Sequence, residues 1–125
     1  MLHCSVNKRM HGFTIVELVV VIAVIGILAA ITIASYGSWR QSSAETAVKS
    51  DLNGLYTALE SHKNFNDSFP ATLPATFTPT KDVAVTYLPS ADRTSYCVSA
   101  RSDQVTTVVF KIQSLNGKTP VVGAC

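Results

Sequence analysis

A chain of 125 residues has room for one small hydrophobic core, yet 47% of its residues are hydrophobic and only 14% charged, a greasier balance than an ordinary soluble domain carries. The formal charge of +2 is contributed by Lys8 and Arg9, because the other eight basic side chains match the eight acidic ones. The remainder is neutral and offers no basic stripe of the kind nucleic acid requires, so no specific nucleic-acid partner is indicated.

Residues 1–12 are polar and basic without periodicity, and read as a targeting leader rather than part of the fold. Residues 13–38 come next. Between residues 18 and 31 nearly every side chain is apolar, and Glu17 is the only charged residue between Phe13 and Trp39. A helix apolar on all faces is buried all round, in lipid or among neighbouring helices, and about 20 such residues cross the hydrocarbon core of a bilayer. Val and Ile abound here and would favour a strand in water. A single segment in lipid, however, satisfies its backbone only as a helix.

Beyond Trp39 the pattern becomes amphipathic. Ala44, Ala47, Val48, Leu52, Leu55, Tyr56 and Leu59 fall at spacings of three and four, with Glu45, Lys49, Asp51, Asn53 and Glu60 between them. The expected helix therefore sets one face on a core and the other, acidic and basic, in water. No proline interrupts residues 13–69, so both patterns fit one helix of about 50 residues, roughly 75 Å long, ending within 64–68. Gly37 and Gly54 weaken it, each by about 1 kcal/mol relative to alanine.

The segment PATLPATFTP at 70–79 is a proline- and threonine-rich connector. Three β-prone stretches follow at 83–88, 96–100 and 105–113, separated by the turn-like PSADRTS and RSDQ. Asn116 and Gly117 suit a turn, and a short last strand precedes Cys125. The expected fold class is α+β: a long N-terminal helix, membrane half plus amphipathic half, packed on a small antiparallel β-sheet, with residues 39–125 as the domain outside the membrane.

Cys4 lies in the leader. Once the leader is removed, Cys97 and Cys125 remain as an even pair, which suits a disulfide in an oxidising compartment and leaves two buried thiols as the alternative. No CxxC or Cys/His cluster has metal-ligand spacing, and Asp82, Asp92 and Asp103 are too dispersed for a calcium loop. His62, the only histidine beyond the leader, reads as a surface side chain on the solvent side of the helix. Tyr87, Tyr96 and Phe110 have the spacing of strand core residues. No catalytic constellation, cofactor or metal site is expected.

The informative stretch is Lys8-Arg9-Met10-His11-Gly12-Phe13-Thr14-Ile15-Val16-Glu17-Leu18, joined directly to the apolar run. It resembles the class III signal of type IV pilins and type II secretion pseudopilins. In that family a basic leader ends in glycine, an aspartyl prepilin peptidase cuts after it, and the next residue becomes the N-methylated terminus. The resemblance, specific over residues 8–30 and architectural beyond, implies a pilin fold, cleavage after Gly12, methylation at Phe13, and assembly through Phe13, Thr14 and Glu17. Residues 32–37 lack the proline that the family often carries in mid-helix. An ordinary signal peptide is cut after its apolar segment, and ILAA or TIAS would offer such a site, so processing there is the competing expectation.

Elementary electrostatics agrees with the resemblance. Lys8 and Arg9 favour a leader on the cytoplasmic side. A carboxylate at the hydrocarbon edge costs about 2–3 kcal/mol unless solvated or paired, and a new amine at Phe13 would lie within one helical turn of Glu17. At an effective dielectric near 20, charges about 4 Å apart attract by roughly 4 kcal/mol before desolvation is subtracted. The plainer reading leaves Glu17 at the headgroup boundary. Gly26, Ala29 and Ala30 present a low surface that allows close helix approach, or are simply common residues of membrane helices. The resemblance also suggests a disulfide-bounded C-terminal loop between Cys97 and Cys125, stabilising by about 3.5 kcal/mol on the chain-entropy model.

The expected function is structural, as a subunit of a type IV pilus filament. Its expected partners are identical or related pilin subunits, prepilin peptidase, an inner-membrane assembly platform, and the membrane before assembly. The expected location is the bacterial cytoplasmic membrane, as a single-pass precursor with the leader inside, and then an extracellular pilus or periplasmic pseudopilus. The alternatives are a type II secretion pseudopilin and a membrane-anchored binding module that does not polymerise.

Overall fold

The computed structural model describes residues 11–125; Cys4, Lys8 and Arg9 of the expected leader lie outside them. The chain divides into two compact units, one reaching to Tyr36 and the other Gly37–Cys125. A single helix, α1 (Ile15–Asn66), begins in the first and ends in the second, passing through Gly26, Gly37 and Gly54 without a break.

In the first unit the large apolar side chains are exposed throughout, from Phe13, Val16 and Leu18 to Ile31 and Ile33. By length and composition this part of α1 can cross a membrane. Its hydroxyls are satisfied locally: Thr32 Oγ1 donates to the Ala29 carbonyl and Ser35 Oγ to that of Ile31, the way such side chains are accommodated in an apolar helix.

The second unit holds the core. Val48, Leu52, Leu55 and Leu59, at spacings of three and four on α1, are fully buried against Phe69 and the inward side chains of the sheet. The helix closes at Asp67, whose left-handed φ of 56° lets its N–H reach the Lys63 carbonyl at 2.8 Å, satisfying one of the orphan carbonyls of the last turn.

Four strands follow: β1 (Val83–Pro89), β2 (Tyr96–Ser102), β3 (Val109–Gln113) and β4 (Val121–Val122). They pair antiparallel in chain order, as short hairpin connections require. Tyr96, Val98 and Ala100 of β2 and Phe110 and Ile112 of β3 point into the core, with Val98 opposite Ile112 and Ala100 opposite Phe110, so the two-residue period of the strands brings one apolar face onto α1. Phe69 meets Tyr96 edge-on with centroids 4.6 Å apart, a favoured aromatic geometry. This is the α+β arrangement expected, a long apolar-headed helix with a small four-stranded antiparallel sheet on its later part, consistent with the pilin fold.

Three local expectations are corrected. The third strand starts at Val109 rather than 105, because residues 105–108 turn: Val108 N–H bonds the Val105 carbonyl, and the Val105 N–H bonds Ser102 Oγ at 3.1 Å. The hydroxyl gives the backbone a local partner that competes with the ladder. Asp51, assigned to the solvent face, is buried with 8% exposure and accepts from Thr80 N–H at 2.8 Å and Thr80 Oγ1 at 2.7 Å. His62 is half-buried rather than on the surface, with Nδ1 3.0 Å from the Ser68 carbonyl, to which it donates.

Cys97 of β2 is joined by a disulfide to Cys125, which ties the tail carrying β4 to the second strand of the sheet.

Candidate assembly site at the start of the helix

Thr14 is the residue before α1, and Ile15-Val16-Glu17 form its first turn. The first four N–H groups of a helix have no intrahelical acceptor, and here two side chains supply them. Thr14 Oγ1 accepts from the Glu17 N–H at 3.2 Å, and Glu17 Oε2 accepts in return from the Thr14 N–H at 2.9 Å. This reciprocal arrangement is a capping box, a threonine followed three residues later by glutamate. The Leu18 N–H then bonds the Thr14 carbonyl at 3.2 Å, and the regular helix begins.

The box sets the Glu17 carboxylate on a backbone donor at the positive end of the helix dipole. It uses one carboxylate oxygen. Among the described residues Oε1 makes no hydrogen bond, so a second donor can reach this carboxylate without dismantling the cap. Phe13, immediately before the box, is 92% exposed.

At Gly12 a Cβ would meet nothing within 4 Å among the described residues, so the packing around it does not itself demand a glycine. Gly26 likewise has open space beside it, and with Ala29 and Ala30, both exposed, it marks a shallow place on the helix surface. The sequence reading assigned Glu17 to a charge pair and overlooked the cap, although the spacing Thr-x-x-Glu ahead of an apolar run was a readable signal for it. A further aromatic was not singled out: Trp39, 65% exposed, stands just before Arg40, whose Nη2 donates to the carbonyl and Oε1 of Gln104, both at 3.0 Å. Position at the end of an apolar span was the available signal for an interfacial tryptophan.

Among the described residues no group of three or more His, Cys, Asp or Glu side chains gathers to hold a metal ion.

A helix capped by its own threonine and glutamate, apolar and uncovered for its first turns, and followed by an antiparallel sheet closed with a disulfide, is consistent with the pilin fold. Comparison with known proteins agrees: residues 7–33 match the family model described as the prokaryotic N-terminal methylation motif. The chain is 41% identical over 63 residues to the type IV major pilin protein PilA of Myxococcus xanthus, covering 50% of this chain and 29% of that one. A fimbrial protein of Pseudomonas aeruginosa is 44% identical over 54 residues, 43% of this chain and 35% of its own length. The type II secretion system core protein G of the same species is 32% identical over 66 residues, 53% of this chain and 46% of its own. Over about half of its length the chain is thus similar to proteins named as type IV pilins, fimbrial proteins and type II secretion core proteins, and it spans less than half the length of these curated relatives. They are named for filament and secretion proteins rather than for enzymes.

Proposed function

We propose that this chain is a structural subunit of a type IV pilus filament. It enters the bacterial cytoplasmic membrane as a single-pass precursor with residues 1–12 inside, is cut by prepilin peptidase between Gly12 and Phe13, is N-methylated at Phe13, and joins identical or related subunits on an inner-membrane assembly platform. Residues 13–38 then exchange lipid for neighbouring helices, with Gly26, Ala29 and Ala30 allowing close approach, while residues 39–125 remain outside.

The observation that carries this reading is the capped carboxylate at the head of an otherwise uncovered apolar helix. Before the cut, the Thr14 amide offsets part of the cost of holding a carboxylate at the hydrocarbon edge. After it, the new ammonium at Phe13 is one residue from the box, and Oε1 of Glu17 is available to that amine or to the amine of the next subunit. An interaction that exists only between cut subunits gives assembly an axial register. Open space at Gly12 fits a glycine selected by a peptidase cleft that admits only backbone, since the described neighbours leave room for a side chain.

Mass spectrometry of the processed protein tests the proposal. It should find Phe13 as the N-terminal residue, carrying one methyl group, and Gly12→Val should leave uncut precursor in the membrane. A mature terminus at or beyond Ile31 means ordinary signal-peptide processing and ends this reading. Glu17→Ala should be cut normally yet yield few or no fibres.

The pseudopilin reading is favoured by a specific observation, since the match to core protein G covers more of that relative than the match to PilA does. In that case the fibre is short, periplasmic and part of a secretion machine. Electron microscopy of cells producing this subunit as the major one separates the two by fibre length and location.

A further inference from the structure

The sequence contains two Asn-Gly pairs, Asn53-Gly54 and Asn116-Gly117, and asparagine before glycine is the pair most prone to intramolecular imide formation. The reaction needs the glycine amide nitrogen to attack the asparagine carboxamide carbon, which requires that amide to be free and the asparagine backbone to rotate. The two sites differ in both respects. Asn53 and Gly54 lie inside α1, where backbone N–H groups are helix donors, and they are flanked by Leu52 and Leu55, each fully buried. Rotating Asn53 would break helix bonds in the segment that makes the core.

Asn116 is exposed and lies at the end of the turn that follows β3. Its own N–H bonds the Gln113 carbonyl at 3.0 Å, and its Nδ2 donates to Gln113 Oε1 at 2.8 Å. Gly117 has a φ of 81° and open space where a Cβ would stand, and among the described residues its N–H makes no hydrogen bond. Here the nucleophilic amide is not engaged as a donor, although Gly117 itself is half-buried.

From this contrast we infer that Asn116 is a site of spontaneous deamidation and that Asn53 is protected by the fold. The Gly117 nitrogen loses its proton and bonds to Cγ of Asn116, the Cγ–Nδ2 bond breaks, and ammonia leaves, closing a five-membered imide. Water then opens either imide carbonyl, giving aspartate or the β-linked isoaspartate; overall one water is consumed and one ammonia released. Each product adds a negative charge two residues before Lys118, and isoaspartate lengthens the backbone in the link to β4, which is held to β3 only by the pairs Phe110 with Val122 and Lys111 with Val121. The conversion marks the age of a subunit on its disulfide-tied tail.

The test is to hold the purified, disulfide-intact full chain at mildly alkaline pH and follow both sites by peptide mapping, with an isoaspartyl methyltransferase assay in parallel. The Asn116 peptide should gain the mass of an amide exchanged for a carboxyl and split into two isomers while the Asn53 peptide stays unchanged. In reduced, denatured chain both should convert at similar rates. Gly117→Ala should slow conversion at Asn116 by about tenfold through crowding of the nucleophile, and Asn116→Gln should stop it if the alanine variant disturbs the turn. Equal conversion at both sites in the folded chain overturns the inference, as does an Asn116 that converts only when the chain is denatured.

Discussion

Tyr96 brings its ring into the core at 4% exposure, and among the described residues its hydroxyl is buried without a hydrogen-bond partner. Burial raises its pKa, and the negative charge of Glu60 adds to the shift; burial also raises that of Tyr87, against the opposing effect of Arg93. Below the ordinary phenol value of about 10 both tyrosines are protonated folded or unfolded, and pH has no leverage through them. Above it the unfolded chain releases protons that the folded chain retains, so stability falls as pH rises. Tyr96→Phe should lessen that alkaline slope, leaving the Tyr87 share. At neutral pH it should raise stability by about 1 kcal/mol, since the phenyl ring keeps its contacts and the unpaired hydroxyl is gone. Urea titrations at neutral pH and above pH 10 check both; a loss of stability at neutral pH would mean that the hydroxyl is satisfied in solution.

At the scale of elements, α1 presents two kinds of surface in one helix, and Asp51 belongs to the buried one. It lies three residues after Val48 and four before Leu55, within the stripe that packs on the sheet. Its carboxylate holds the Thr80 amide and hydroxyl, fastening the proline-rich connector just before β1. Asp51→Ala should cost about 1–2 kcal/mol in chemical denaturation through two lost charge-assisted bonds, and Asp51→Asn less, because one acceptor oxygen survives. Equal stability of the alanine variant and the native chain would show that the clamp contributes nothing. The spacing already put Asp51 on that stripe, but its charge argued for solvent, and only the path of the connector, which no local pattern encodes, brings a donor to it. The same division runs through the fold. Period and composition made α1, its end near Asn66 and three strands legible, because each reflects a repeating face. The late start of β3 was not, because Ser102 captures the Val105 amide by a contact specific to that turn. The methylation motif is legible as residues in order, and so is the cap, because Thr14 and Glu17 have the Thr-x-x-Glu spacing of a capping box ahead of an apolar run.

For the whole molecule, the division of labour between the two units is energetic as well as spatial. The buried hydrophobic residues described, from Val48 to Ile112, all lie in Gly37–Cys125, and so does the disulfide. The uncovered residues before Gly37 add exposed apolar surface and no core, so in water they favour association rather than folding. A fragment starting at Gly37 should therefore be soluble and monomeric by sedimentation and should melt cooperatively, with the slowest hydrogen exchange in β2 and β3, as in the full chain held in detergent. Closing a loop with a sequence separation of 28 is worth about 3.5 kcal/mol on the chain-entropy model. Cys97→Ser with Cys125→Ser should then lower stability by a similar amount in fragment and full chain alike, because the loop lies entirely on one side of the division. The fragment should not enter filaments, having lost Phe13, Glu17 and the apolar surface. If it instead unfolds gradually or loses exchange protection in β2, the apolar half of α1 supports the domain as well as carrying it, and the two units are not energetically separate.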